Sequence, residues 1–186
     1  NYPGLESLNL SNFDTSNVIN MSYMFYGDFH FKEIDVSSFS TSKVTNMESM
    51  FAKIQKNSGF DSNFLPSLEE IGKSTIQKII GLSNFDTSSV TSMEGMFDFN
   101  YNIESLNLSN FNTAKVTNMA YMFYYCFNLI NFDISNFDTS SVTDMHQMFS
   151  FVGLVKKLDS FNDLKNVSNY PGLESLNLSN FDTSNV

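Results

Sequence analysis

Apolar residues recur along this chain at fixed distances from a repeated phrase, S-N-F-D-T-S and its variants. The phenylalanine of that phrase falls at Phe13, Phe39, Phe85, Phe111, Phe137 and Phe181, and the steps 13→39, 85→111 and 111→137 are each 26 residues. Five and three residues earlier stand Leu8/Leu10, Ile34/Val36, Ile80/Leu82, Leu106/Leu108, Phe132/Ile134 and Leu176/Leu178. Apolar positions alternating with polar ones predict a short strand buried on one face. Five residues after the phenylalanine comes Val18, Val44, Val90, Val116, Val142 or Val186. Then follow Met21/Met24/Phe25, Met47/Met50/Phe51, Met93/Met96/Phe97, Met119/Met122/Phe123 and Met145/Met148/Phe149. Their i, i+3, i+4 spacing predicts one face of a short helix. Thr45 with Glu48 and Thr91 with Glu94 have the form of a capping box that would begin it.

One coil thus reads as strand, polar turn and one or two helical turns. No such coil buries its apolar stripe alone, whereas stacked coils share a continuous core. The expected fold class is an α/β repeat, a solenoid of ~26-residue coils with one short parallel β-strand and one short helix per coil. Adjacent strands would lie about 4.8 Å apart. The expected core ladder is Phe13, Phe39, Phe85, Phe111, Phe137 and Phe181 together with Met21, Met47, Met93, Met119 and Met145. Columns of Met and Phe also suit a haem or cofactor pocket. Their return at the same place in every coil favours packing, and no cofactor is expected.

A longer period lies over the short one. Residues 1–18 return letter for letter as 169–186, an offset of 168. The expected organisation is a single solenoid segment, 1–186, in which 1–168 is one super-repeat and 169–186 begins the next copy. The steps 39→85 and 137→181 are 46 and 44 residues, and they mark irregular segments at 52–79 and 150–172. The first holds a worn phrase at Gly59-Phe60-Asp61-Ser62 and a helix-start pattern from Pro66 to Ile71. The second holds a weak copy around Phe161, which would bring the unit to six or seven coils. Either segment reads equally well as a contact surface or as a decayed coil. Leu5, Leu8, Leu10 and Phe13 open like an ordinary coil, and Val186 stops in mid-coil. Solenoid ends need polar covers, so the expectation is end-to-end stacking in one polar direction, through peptide continuity or head-to-tail assembly.

The polar positions form columns as well. After the reference phenylalanine come Asp14, Ser40, Asp86, Asn112, Asp138 and Asp182. Stacked carboxylates could gather calcium. Neutral Ser40 and Asn112 in the same column point instead to a position that needs an acceptor, as a side chain bonded to a turn does. Before the phenylalanine, Asn12, Ser38, Asn84, Asn110, Asn136 and Asn180 suggest a ladder of amides bonded to backbone groups between coils. Thr15, Thr41, Thr87, Thr113 and Thr139 could face ice or a crystal, though turn chemistry accounts for them more simply.

Composition narrows the function. Only 16% of residues are charged, so Ser, Thr and Asn must make most of the surface. The net charge is −10 and every basic residue is Lys, which argues against nucleic acid and against anionic membranes. No apolar run approaches the roughly 18–20 residues that span a bilayer, so no membrane insertion is expected. Asn1 does not open a signal peptide, and a secreted protein would carry its targeting segment outside this stretch. Cys126 is alone and reads as a small buried hydrophobe. His30 and His146 occupy unrelated repeat positions without metal spacing. There is no G-x-S-x-G, phosphate loop or H-E-x-x-H, and repeated carboxylates single out no acid–base pair. No enzymatic activity is expected.

The phrase Leu5-x-x-Leu8-x-Leu10-x-x-Phe13 is similar to the L-x-x-L-x-L core of leucine-rich repeats. The fuller phrases at 13–25, 85–97 and 111–126 resemble the BspA-like branch, surface proteins of wall-less and other bacteria and of some archaea. That resemblance implies a leucine-rich-repeat-like solenoid at the cell surface, often assigned to adhesion, and it brings no catalytic residues. The leading expectation is a structural extracellular repeat protein that forms a long fibre or filament by end-to-end stacking of 168-residue units with copies of itself. The alternative is a cell-surface adhesin that binds a host protein or glycan.

Overall fold

The computed structural model describes residues 8–27, 31–53, 76–153 and 176–186. Strands form where the alternating pattern is strongest: β1 (Glu33–Asp35), β2 (Lys78–Ile80), β3 (Ser105–Leu106) and β4 (Asn131–Phe132). They pair in parallel as β1–β2 and β3–β4. A further parallel column joins Asn20, Asn46, Ser92, Asn118 and Asp144 by successive single bridges. Equivalent positions of successive repeats are therefore hydrogen-bonded side by side.

At two of the expected strands only part of the stretch lies within the described residues. Residues 8–10 and 176–178 carry no strand, Leu8 and Leu178 are exposed, and the residues before them lie outside the described part. The boundary of the first irregular segment also moves. The Gln77 amide donates to the Lys32 carbonyl at 2.8 Å and β2 begins at Lys78, so the repeat resumes before residue 79. The rest of that segment, 54–75, lies outside the described residues, as do 154–175 with Phe161, and His30.

The expected helix is corrected outright. Among the described residues there is no α-helix, only a 3-10 turn at Leu82–Asn84. The Met-Met-Phe stretches are consecutive β-turns. Met24, Met50, Met96, Met122 and Met148 each donate their amide to the methionine three residues earlier. Tyr23, Ser49, Gly95, Tyr121 and Gln147, the third residue of each turn, all have positive φ between 50° and 60°, where a type II turn needs it and a right-handed helix cannot continue. The amides in between bond across repeats: Met47 to Ser92, Ser49 to Glu94 and Phe51 to Met96, at 2.8–3.1 Å. Spacing supplies the physical reason. Phe51, Phe97 and Phe123 stack with centroids 5.8 Å apart, and helices roughly 10–12 Å wide do not fit side by side at that distance. The supposed capping threonines accordingly serve the ladder: the Thr91 hydroxyl donates to the Thr45 carbonyl at 3.1 Å.

One contiguous core runs through these repeats. Phe39, Phe85, Phe111 and Phe137 are buried, as are Met21, Met47, Met93 and Met119. The expected ladder fails at its margins. Phe13 is 51% exposed, and Phe181 and Met145 are only partly covered. Phe13 has a described neighbour on one side alone, yet Met21 and Phe25 of the same repeat stay buried, so the one-sided position uncovers the phenylalanine and not the whole ladder. A second ring column, Phe25, Phe51, Phe97, Phe123 and Phe149, runs beside the first, its neighbouring rings within 11° of parallel.

The stretch from β2 to its phenylalanine, Ile79 to Phe85, holds one residue more than the stretch from Ile34 to Phe39. Ile34 pairs with Ile79, not with the Ile80 that the 46-residue step implies. Gly81, at φ 91°, absorbs the difference, and a Cβ there would lie 2.5 Å from the backbone of Ser37.

Candidate functional site

The most organised chemistry in this chain is the set of polar columns beside the reference phenylalanines. Each turn Asp or Asn closes its own turn. The carboxylate or amide Oδ1 of Asp14, Asp86, Asn112, Asp138 and Asp182 accepts the amide two residues on, at 2.9–3.1 Å. Asn112 does this without a charge. Ser40 enters the column through its backbone, as its counterparts also do, its amide donating to the Thr15 hydroxyl at 2.8 Å. The Ser16, Ser88 and Ser140 hydroxyls, then their amides, hold the carboxyls of Asp14, Asp86 and Asp138 below the ordinary value. At Asp182 the Ser184 amide leads. Among the described residues no three His, Cys, Asp or Glu side chains gather as a metal site would require.

From Phe39 onward, the residue before each reference phenylalanine reaches back to the preceding repeat. Ser38 Oγ donates to the Leu10 carbonyl at 3.1 Å, and Asn84 Nδ2 to Ser37 at 3.3 Å. Asn110 Nδ2 donates to the Ser83 carbonyl and Asn180 Nδ2 to Ser135. Asn136 Nδ2 reaches the Phe111 carbonyl at 2.9 Å.

The threonine column does most to join the repeats. Thr113 Oγ1 donates to the Asp138 carbonyl at 2.8 Å and accepts the Asp138 amide at 2.8 Å. The same two-way staple links Thr15 to Ser40, Thr41 to Asp86, Thr87 to Asn112 and Thr139 to Asp182. One hydroxyl thereby satisfies both polar groups of a peptide position that stacking removes from water. All five threonines are at most 5% exposed. A column so covered cannot face ice or a crystal, which removes that reading. Two staples also cross the long steps: Thr41–Asp86 spans 45 residues and Thr139–Asp182 spans 43. The repeats flanking both irregular segments are direct neighbours, so no additional coil separates them in these columns. Among the described residues, five repeats share the column from Asn20 to Asp144.

Two further turn ladders were not foreseen. Asn9, Asp35, Asn107, Asp133 and Asn177 each accept the amide two residues on. So do Asn20, Asn46, Asn118 and Asp144. The N/D-x-S spacing carried that signal for the first ladder and for Asn20, whereas Asn46, Asn118 and Asp144 have Glu48, Ala120 and His146 in place of the serine. Near the latter ladder, burial and then Glu48 push the Glu94 carboxyl up, and Asn118 Nδ2 donates to it at 2.8 Å. His146 bonds to Asp144 and sits edge-on to the Tyr121 ring. Cys126 is buried, its thiol pushed up by that burial and directed at the Phe97 carbonyl, 3.1 Å away. On the strand side an open polar cleft of about 650 Å³ is lined by Lys32, Gln77, Lys78, Glu104 and Asn128, among others. Among the described residues no helix is long and apolar enough to cross a membrane.

The family described as "Mycoplasma protein of unknown function, DUF285" matches residues 4–64 and 66–173 of the chain. No curated protein and no solved structure matches it.

Proposed function

This chain belongs to the DUF285 family, and from that premise we propose that it is a stretch of a BspA-like, leucine-rich-repeat-like solenoid with a structural, non-enzymatic role outside the cell. In this reading 168-residue units stack end to end into a fibre or filament at the cell surface. The observation that carries it is the threonine staple. The same two-way bond recurs at every junction between the described repeats and commits the most buried polar groups of the phrase to joining repeats. A chain whose chemistry is spent on its own continuation serves as material.

Electron microscopy of the native protein tests this. Five repeats at about 4.8 Å each give an axial period of about 24 Å, and filaments with that period are the expected result. Dispersed particles that bind a host protein or glycan saturably would favour the adhesin reading instead. The observation in favour of the adhesin is the open cleft over the strands, whose amide and charged lining suits a polyhydroxylated ligand.

A further inference from the structure

Residues 8–18 and 176–186 are the same eleven letters seen in two surroundings. The first copy bonds to the repeat that follows it. Ser38 Oγ donates to the Leu10 carbonyl, Thr15 Oγ1 staples Ser40, and Lys43 Nζ donates to Asn17 Oδ1 at 2.8 Å. The second copy bonds to the repeat that precedes it. Asn180 Nδ2 donates to the Ser135 carbonyl, Asp182 takes the Thr139 staple, and Asn185 Nδ2 donates to the Ser140 carbonyl at 2.9 Å.

Overlaid by the offset of 168, the two sets share no atom. Forward bonds use the carbonyl of Leu10, the hydroxyl of Thr15 and the amide oxygen of Asn17. Backward bonds use the Asn12, Asp14 and Asn17 counterparts through Nδ2, N and O, and Nδ2. Even the one side chain in both sets divides its amide, oxygen forward and nitrogen back. Phe13 is 51% exposed, while its counterpart Phe181 is partly buried with its ring 6.1 Å from Phe149. One segment can therefore hold both neighbours at once, as Asn112 and Thr113 do inside the stack, where Asn112 takes the staple of Thr87 and Thr113 staples Asp138.

We infer that the open face of residues 8–18 is the seat for the 131–149 repeat of a preceding copy of this unit, held in the register that 176–186 displays. The junction would be Thr139 stapled to Asp14, Asn12 reaching Ser135, Asn17 reaching Ser140, and Phe13 covered by Phe149. The contact is heterologous, so it propagates in one direction and does not close. This inference rests on the proposed solenoid and specifies its partner surface.

Disulfide trapping in the full chain tests the register. Asn185→Cys with Ser140→Cys should close within one chain. Asn17→Cys with Ser140→Cys should link two chains once Phe181→Asp and Asp182→Pro weaken the resident copy. Proline removes the amide that Thr139 accepts. The expected result is dimers and longer ladders, at least tenfold above the off-register pair Asn17→Cys with Ser88→Cys. Equal linking by the two pairs overturns the inference. A second arm avoids the weakened copy: a chain with residues 1–168 written twice before 169–186 should unfold in one transition, no lower than the single unit. Two separate transitions, or a lower midpoint, also overturn it. Register-specific crosslinks without filaments would keep this junction and sink the fibre. Filaments without such crosslinks would do the reverse.

Discussion

Phe111 and Phe13 occupy the same place in nearly the same phrase, yet one is 2% exposed and the other 51%. The interior repeat has a neighbour on each side, and the outer one has a described neighbour on one side. Met119 and Met145 repeat the contrast, the first fully buried and the second partly so. Burial of the reference phenylalanine thus depends on the neighbouring repeats, while Met21 and Phe25 are covered even in the outer repeat. A 26-residue repeat with two or three residues of strand and a series of turns has little local stability, and each repeat is held by the two beside it.

The largest test of that contrast is truncation of the core ladder. Phe111→Ala should cost about 3–5 kcal/mol, because both neighbouring repeats lose a contact. Phe13→Ala should cost less than about 1 kcal/mol. Denaturant unfolding of the two variants measures the difference directly.

Glycine replacement sharpens the comparison at the backbone. Gly81→Ala combines φ 91° with a 2.5 Å approach to the Ser37 backbone, and should cost about 2–4 kcal/mol. Gly95→Ala, at φ 57° and 3.1 Å from the movable Ser49 hydroxyl, should cost only about 1 kcal/mol. Equal losses in thermal unfolding would contradict the assignment of Gly81 as the residue that absorbs the extra position.

The staple predicts a smaller gap. Thr113→Val keeps the shape but leaves the Asp138 amide and carbonyl without their partner, at a cost of about 2–3 kcal/mol. Thr113→Ser should recover much of it. Thr183→Val, at an exposed counterpart, should leave the unfolding midpoint unchanged.

The smallest effect belongs to charge. Asp138→Asn should leave stability at neutral pH unchanged, since Asn112 already does the same work. Asp138 has its folded value lowered by Ser140, so its contribution is present above the ordinary carboxylate range and fades as pH falls through the lowered value. The Asn variant should lose that part of the acid sensitivity. A large loss at neutral pH, reversed by added calcium, would indicate a cation in the column.

The repeat length, the strand and the polar turn were readable in the sequence because each depends on residues close together. Leu106 and Leu108 alternate as a strand residue and its neighbour should, and Asp138 followed by Ser140 is the spacing of a side chain closing its own turn. The helix was misread because i, i+3, i+4 spacing does not distinguish a helical face from consecutive β-turns. Met93 and Met96 are the ends of one such turn. The deciding quantity was the distance between coils, a property of the stack. The register at Gly81 was hidden for a similar reason: Ile79 and Ile80 are both apolar, and only pairing selects between them. The threonine staple lay in plain view as a column, but whether a column faces water or the next repeat is settled by packing.

The central claim is that neighbouring repeats, and not the phrase itself, make the structure. Amide hydrogen exchange in dilute solution tests it at two positions with identical local sequence. The Asp182 amide donates to Thr139 Oγ1 at 2.8 Å, whereas Asp14 has no described repeat before it. Asp182 should exchange markedly more slowly than Asp14, and the interior Asp138 more slowly still. Equal exchange at Asp14 and Asp182 would contradict the account.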